Sequence, residues 1–265
     1  NLHYGEYLLP LAYAAKEEPG GAYLEKAKAI VDAWISGNPR EAGGVGWDPY
    51  VVSMRVTNWL AFCGETRELL GEDTAFVARM NLSLAEQYDH LSLHLEKDIL
   101  ANHYFENLKA LVLLSCYFGD EVTLEYVLPL LKEQIDEQIL PDGMHFELSP
   151  MYHKLMLEGL MRTAAALRSN GAVGDPVQWC RLQDMCDCLY SLERGVNRTP
   201  LFNDSGDNVA KSRDALLGCA HAHFAVQPEF KSAFPDAGYY IMEKEVGEAS
   251  VKVIFDAGDP GPGYA

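Results

Sequence analysis

Apolar side chains recur every three or four residues along most of this chain, which is the spacing typical of amphipathic α-helices. The pattern predicts nine helices, near residues 3–16, 21–37, 50–70, 74–98, 103–118, 121–138, 150–169, 175–193 and 209–224. Clusters of Gly, Pro, Asn and Asp separate these helices. Because most connections are short, we expect successive helices to be antiparallel neighbours that pack as hairpins.

The pattern changes near the end of the sequence. Residues 238–246 and 250–256 alternate between apolar and polar side chains and predict two strands joined by a turn that contains Gly247. A single hairpin is marginally stable in water, so these strands are expected to belong to something larger. We therefore predict a mainly α protein with a helical domain over residues 1–230. Residues 231–265 are predicted to begin a truncated β-rich domain.

Composition narrows the classes of ligand. The 265 residues include 39 Asp and Glu against 21 Lys and Arg, a net charge of −18. This balance argues against nucleic acid and weighs mildly against a densely sulfated polymer, because both require cationic surfaces. The sequence contains no run of 18 apolar residues that would predict a membrane span. Its compartment and oligomeric state stay open.

No metal site is predicted. The six cysteines lack the spacing of a zinc or redox motif and are expected to be structural thiols. His90 and His94 have the spacing of a metal-binding pair on a helix, but the sequence supplies neither the adjacent glutamate nor a third ligand.

Residues 102–107, Asn-His-Tyr-Phe-Glu-Asn, form the first candidate site. On a helix, His103 shares a face with Glu106, and a carboxylate beside an imidazole fixes its tautomer for acid–base work. The structural alternative is that Asn102 caps the helix and His103 packs in the core.

Residues 141–153 form the second candidate site. Ser149 and Pro150 are typical of the N-cap and first position of a helix, so Tyr152 falls in the first turn, where the helix dipole favours a phenolate. His153 follows it, and His145 and Glu147 precede it. The structural alternative is that Tyr152 is a core aromatic and Glu147 an exposed charge.

Taken together, the motifs of this chain resemble those of the heparinase II/III-like polysaccharide lyases. The matching segments, in order, are Asn-Leu-His-Tyr at 1–4, Trp-Asp-Pro-Tyr at 47–50, Met-Arg-Val-Thr-Asn-Trp at 54–59, Asn-His-Tyr-Phe-Glu-Asn at 102–107 and Asp-Gly-Met-His-Phe-Glu-Leu-Ser-Pro-Met-Tyr-His at 142–153. The resemblance covers essentially the whole chain. It implies an incomplete (α/α) toroid of helical hairpins followed by a β-sandwich.

The resemblance also implies a reaction, the β-elimination of polysaccharides that contain uronic acid. It implies that Asn102 binds the carboxylate at C5, that His103 neutralises it or acts as base, oriented by Glu106, and that Tyr152 is the acid, and the base for one C5 epimer. It further implies that the remaining matched side chains support the site or contact sugar: Arg55, Asn58, Trp59, His145, Glu147 and His153.

The family takes a further catalytic histidine from its β-sandwich, where any zinc of its members also lies. We therefore expect no cofactor in this chain, and little lyase activity from the chain alone. Two alternatives stay open. One is a glycoside hydrolase that uses Glu106 and Glu147 as its carboxylate pair. The other is a toroid that binds glycans without catalysis.

Overall fold

The computed structural model describes residues 2–71, 73–99, 101–171, 180–196, 198–247, 249–259 and 261. Nine α-helices lie in these ranges: α1 Leu8–Glu17, α2 Tyr23–Gly37, α3 Pro49–Leu70, α4 Thr74–Leu93, α5 Ala101–Phe118, α6 Glu121–Gln138, α7 Pro150–Ser169, α8 Leu182–Glu193 and α9 Arg213–Phe224. Three short 3₁₀ helices occupy Leu2–Tyr4, Arg40–Ala42 and Val45–Trp47. Three strands follow: β1 Ala233–Phe234, β2 Tyr239–Val246 and β3 Ala249–Asp256.

The helices form two compact units, Asn1–Val127 and Leu128–Ala265. In the first unit, α3 packs against α1, α4 and α5. Apolar side chains such as Val52, Val56 and Phe62 are fully buried along it, and so are polar ones such as Ser53. A helix enclosed on several sides needs no polar face, and α3 lacks a clear one.

The first predicted helix is interrupted. Instead of one helix over residues 3–16, the chain forms a 3₁₀ turn, breaks at Gly5 and resumes as α1 at Leu8. Gly5 has a φ of +74°, and a Cβ at this position would lie 3.0 Å from the indole nitrogen of Trp59. Glycine is therefore required by both the backbone and the packing, neither of which apolar periodicity reports.

Helix α4 ends at Leu93 rather than at the predicted residue 98. The side-chain oxygen of Asn107 accepts the backbone N–H of Glu96 at 2.9 Å. A continued helix would not form this hydrogen bond, so the contact favours the turn after α4 over further helix. This turn places Glu96 against α5.

Two later helices also begin after their predicted starts. The described part of the predicted helix 175–193 begins at Leu182, and residues 172–179 lie outside the described ranges. Helix α9 begins at Arg213 rather than at 209, because the Ser212 hydroxyl accepts the backbone N–H of Ala215 as an N-cap.

The two predicted strands are confirmed as an antiparallel hairpin, and β1 adds a short third strand in the order β1-β2-β3. Within the second unit, one face of the sheet packs on helical and loop residues. The shared apolar cluster comprises Met144, Leu148, Cys188, Leu192, Phe234, Ala237, Tyr239 and Ile241. The predicted boundary between residues 230 and 231 falls inside this unit and stays a prediction.

Gly143 fixes the turn at the start of the second candidate segment, residues 141–153. Its φ is +95°, and a Cβ here would overlap the backbone carbonyl of Asp184. We expect Gly143→Ala to lower the free energy of unfolding by about 2–4 kcal/mol, since backbone strain and overpacking add. Gly119→Ala is the matched control: φ is +70° but the surroundings are open, so only strain of about 1 kcal/mol is expected. Equal losses in urea denaturation would contradict this account.

Candidate functional site

His103 lies in the first turn of α5 and is held on two sides. Its Nδ1 is 3.1 Å from Oε1 of Glu96, and its ring stacks on Tyr50 with ring centres 4.3 Å apart. About a third of the His103 side chain is exposed. His103 is therefore a fixed and accessible imidazole, not the core histidine of the structural alternative.

The carboxylate that contacts His103 is not the predicted one. Glu106 forms a short ion pair with the buried Lys109 on its own helix, whereas Glu96 contacts the imidazole. The prediction that Glu106 orients His103 is corrected accordingly. The alternative hydrolase would need Glu106 and Glu147 as a free carboxylate pair. Glu106 is less available for that role because it is already paired with the buried Lys109.

Asn102 is the second residue of α5 rather than its N-cap, because the helix begins at Ala101. Its side chain is half-buried. Within the part of the chain that the structure describes, its amide has no hydrogen-bond partner. An amide in this state can donate to a carboxylate of a ligand at the start of α5.

Arg55 is fully buried. Its guanidinium donates to Gln87 and to the carbonyl oxygen of Gly46, each at 2.8 Å, and its centre lies 3.8 Å from the ring centre of Trp34. Burial lowers the pKa of Arg55 to about 9, which leaves it charged at neutral pH. These contacts indicate a structural role for Arg55 rather than direct contact with sugar.

Asn58 and Trp59 are buried on the same helix. The Asn58 amide donates to the carbonyl oxygen of Tyr4 at 3.0 Å, and Trp59 packs edge-on against Trp34 with 5.5 Å between ring centres. Asn58 thus ties the N-terminal segment to α3, and Trp59 packs α3 against α2. As with Arg55, these contacts indicate that the two side chains support the fold rather than bind substrate.

Tyr152 lies at the start of α7, as the Ser-Pro sequence predicts. The hydroxyl of Ser149 accepts the backbone N–H of Tyr152 at 3.3 Å. Ser205 reinforces this cap, because its hydroxyl lies 3.0 Å from that of Ser149 and accepts the N–H of Met151 at 3.2 Å. The Tyr152 side chain is half-buried, and its hydroxyl has no partner among the described residues.

The surroundings of Tyr152 keep its phenol protonated. Burial raises the pKa of Tyr152, and the nearby carboxylates of Glu147 and Asp204 raise it further. Burial and Asp204 likewise raise the pKa of Glu147. The expectation that the helix dipole favours a phenolate is thus wrong, because desolvation and two acidic neighbours outweigh it. Tyr152 is set up to donate a proton.

His145 and His153 form a buried pair beneath this segment. The Nδ1 of His153 accepts the backbone N–H of His145 at 3.3 Å, and its Nε2–H donates to the carbonyl oxygen of Met185 at 3.0 Å. Burial lowers the pKa of His145 to about 3 and that of His153 to about 4. Both rings are therefore neutral supports of the turn, and neither is exposed to a substrate.

This pair predicts an acid-sensitive stability. Both folded pKa values lie below about 6.5, the value of an unfolded histidine, so the unfolded state binds more protons as the pH falls. The pair's contribution to the free energy of unfolding is complete above about pH 6.5. Below that pH, this contribution should decline by up to about 1.4 kcal/mol per pH unit for each ring. Urea unfolding at about pH 7.5 and pH 5 measures this slope. His145→Gln should flatten it, and an unchanged slope would contradict the assignment.

Leu148 carries backbone strain between the histidine pair and α7. Its φ is 56°, which is uncommon for a bulky residue. Its carbonyl oxygen accepts the Tyr239 hydroxyl at 2.5 Å and the Asn203 amide at 2.8 Å. Strain of this kind persists only where the surroundings fix it. The loop that contains Asn203 and Asp204 is thus part of the support around Tyr152.

These features match a known family. The sequence profile described as Heparinase II/III N-terminus matches residues 2–232, most of the chain. The chain belongs to this heparinase II/III family.

A curated relative supports the assignment. The heparin-sulfate lyase of Pedobacter heparinus is 25% identical over 248 aligned residues, which cover 83% of this chain and 36% of the relative. The heparinase II/III chain thus spans about a third of that protein's length.

Solved structures share the fold. The crystal structure of a mutant of heparan sulfate lyase HepC from Pedobacter heparinus superposes with a TM-score of 0.71 at 20% identity, over all of this chain and 45% of that one. A heparinase III crystal structure gives a TM-score of 0.73 at 19% identity, over 96% of this chain and 44% of that one. These matches confirm the predicted fold class, a mainly helical (α/α) toroid fold followed by strands.

The described residues of this heparinase II/III chain contain no group of three or more His, Cys, Asp or Glu side chains placed to hold a metal ion. None of the helices they form is long and apolar enough to cross a membrane.

Proposed function

We propose that the protein is a polysaccharide lyase that cleaves a uronic-acid-containing polymer by β-elimination. The observation that carries the proposal is Tyr152: a phenol kept protonated by its neighbours, with its hydroxyl unbonded in the described structure. A phenol in this state can serve as a general acid. Membership of the heparinase II/III family supports the same reaction class.

In the proposed reaction a base takes the proton at C5 of the uronate, a C4–C5 double bond forms, and the C4–oxygen bond breaks. Tyr152 supplies the proton to the departing glycosidic oxygen. The C5 proton is weakly acidic because the neighbouring carboxylate is already anionic, so hydrogen bonds that neutralise this carboxylate stabilise the transition state. The amide of Asn102, which has no hydrogen-bond partner among the described residues, suits that task.

His103 is proposed to act beside Asn102. Its Nδ1 is bonded to Glu96, so the Nε2 edge is the one open to a substrate. That edge takes the C5 proton or donates to the C5 carboxylate. The raised pKa of Tyr152 keeps its phenol protonated at neutral pH, so the group holds a proton to give and no free base to accept one, and we assign it the leaving-group proton.

The substrate is proposed to be a glycosaminoglycan. The support is the curated heparin-sulfate lyase, to which this chain is similar. The net charge of −18 favours a polymer with few sulfates over a densely sulfated one, because like charges repel.

We further propose the domain division made from the sequence, with residues 231–265 belonging to a β-domain. The support is the second face of the β2–β3 hairpin. The pairs Tyr240–Phe255 and Met242–Val253 put four apolar side chains on it, each at least 41% exposed. A β-sandwich covers such a face with a second sheet.

The proposal is tested with the full-length protein and a panel of uronic-acid polymers. We expect ultraviolet absorbance from the unsaturated uronate to rise in step with new chain ends on at least one glycosaminoglycan. New reducing ends without that absorbance would identify a hydrolase instead. Binding without any cleavage across the panel would identify a non-catalytic glycan-binding protein.

A further inference from the structure

The turn after α4 supplies a carboxylate whose position is fixed before it meets His103. Oε2 of Glu96 accepts the Asn107 amide at 2.9 Å, and the Oδ1 of Asn107 accepts the Glu96 backbone N–H at 2.9 Å. Asn107 is fully buried, and its amide also donates to the Ser53 hydroxyl at 3.1 Å. Glu96 is thus held at both its backbone and its side chain.

The other carboxylate oxygen sets the protonation of the imidazole. Oε1 of Glu96 is 3.1 Å from Nδ1 of His103, and a carboxylate only accepts hydrogen bonds. The proton of the neutral ring must therefore sit on Nδ1, and Nε2 carries the lone pair. Tyr50 stacks on one face of the ring, so the ring cannot turn freely to exchange its nitrogens.

We propose that Glu96 is the positioning residue of His103: with Asn107 it fixes the Nδ1–H tautomer and directs the Nε2 lone pair outward. This inference rests on the proposed function, for which a ring with a free lone pair serves as base. No other carboxylate contacts the His103 ring in the described part of the chain. Glu106 pairs with Lys109.

The hydrogen bonds that join Glu96, Asn107 and His103 predict the effect of Glu96→Gln. The Asn107 amide needs an acceptor, so in Glu96→Gln the new carbonyl oxygen should face Asn107. The new NH₂ would then face Nδ1 of His103, which must accept. The neutral ring would switch to the Nε2–H tautomer and lose the outward lone pair. Glu96→Gln is nearly isosteric, so the fold should be kept.

Nuclear magnetic resonance of histidine-ring nitrogens measures the tautomer without substrate. At alkaline pH, where the ring is neutral, we expect Nδ1–H for His103 in the unaltered protein, Nε2–H in Glu96→Gln, and Nδ1–H in Glu106→Gln. The signal is assigned by its loss in His103→Gln. An Nε2–H tautomer in the unaltered protein would overturn the proposal without the use of any variant.

Turnover of the full-length protein gives a second readout. Glu96→Gln should lower kcat by about 10²-fold and change KM less, since the contact acts on the base and not on the sugar. Asp98→Asn, an exposed residue of the same turn, removes the same charge and should leave kcat within about threefold. Unchanged kcat in Glu96→Gln would refute the positioning role.

The two readouts separate the two proposals. If the tautomer switches as expected but the unaltered protein makes no unsaturated product, the lyase assignment fails and the Glu96 contact stands. If the unaltered protein makes that product but Glu96→Gln keeps both tautomer and turnover, the role of Glu96 fails and the lyase assignment stands.

Discussion

Tyr152→Phe in the full-length protein is expected to lower kcat by about 10²–10⁴-fold, the usual contribution of a positioned general acid. The variant keeps the aromatic ring and removes only the hydroxyl, which has no partner among the described residues. Its fold should therefore be unchanged, and KM should change little because the lost contact forms mainly in the transition state.

The matched control for this variant is Tyr126→Phe. Tyr126 lies on α6 with 57% of its surface exposed, and no stabilising contact of its hydroxyl is seen in the described structure. It should keep full activity. If Tyr152→Phe also kept full activity while the unaltered protein released unsaturated product, another group would have to protonate the leaving oxygen.

Asn102→Asp is expected to lower kcat/KM by about 10²–10³-fold. The change is nearly isosteric but replaces an amide donor with an anion that repels the C5 carboxylate of the substrate. An acidic residue in the first turn of a helix is favoured by the helix dipole, so this variant should fold at least as stably as the parent. A loss of activity without a loss of stability would then locate the effect in the site.

Asn81→Asp provides the comparison for the added charge. Oδ1 of Asn81 accepts the Tyr117 hydroxyl at 2.7 Å, which a carboxylate oxygen can also do. This variant should match the parent in kcat/KM. Equal losses in both variants would mean that the added negative charge acts at long range rather than on a bound uronate.

Local signals in the sequence predict the elements that carry the candidate residues. Ser149 and Pro150 mark the start of α7, and the first turn of that helix holds Tyr152 as expected. The alternation over residues 238–256 likewise predicts the hairpin. These features depend on neighbours in sequence, so propensity and spacing suffice.

Local signals in the sequence do not predict contacts between segments that are far apart along the chain. The apolar period of α4 continues past Leu93 and predicts a helix at Glu96, whereas in the structure the side chain of Asn107 accepts the Glu96 backbone N–H. Arg55 has the charge of a ligand for an acidic sugar, yet Trp34 and Gly46 enclose it.

The acidic surroundings of Tyr152 also depend on a contact between segments that are distant in sequence. The helix dipole can be anticipated from the sequence, but Asp204 lies 52 positions along the chain and approaches only in the fold. His153, predicted to bind substrate, is buried because its two ring nitrogens bond backbone groups of His145 and Met185.

The most direct test of β-elimination is cleavage by the full-length protein in water enriched in the heavy isotope of oxygen. Elimination leaves the glycosidic oxygen on the departing chain and adds no water, so we predict products with a C4–C5 double bond and no heavy oxygen at the new ends immediately after cleavage. Mass spectrometry distinguishes the outcomes. Products that carry one heavy oxygen and lack the double bond would show hydrolysis and contradict the account.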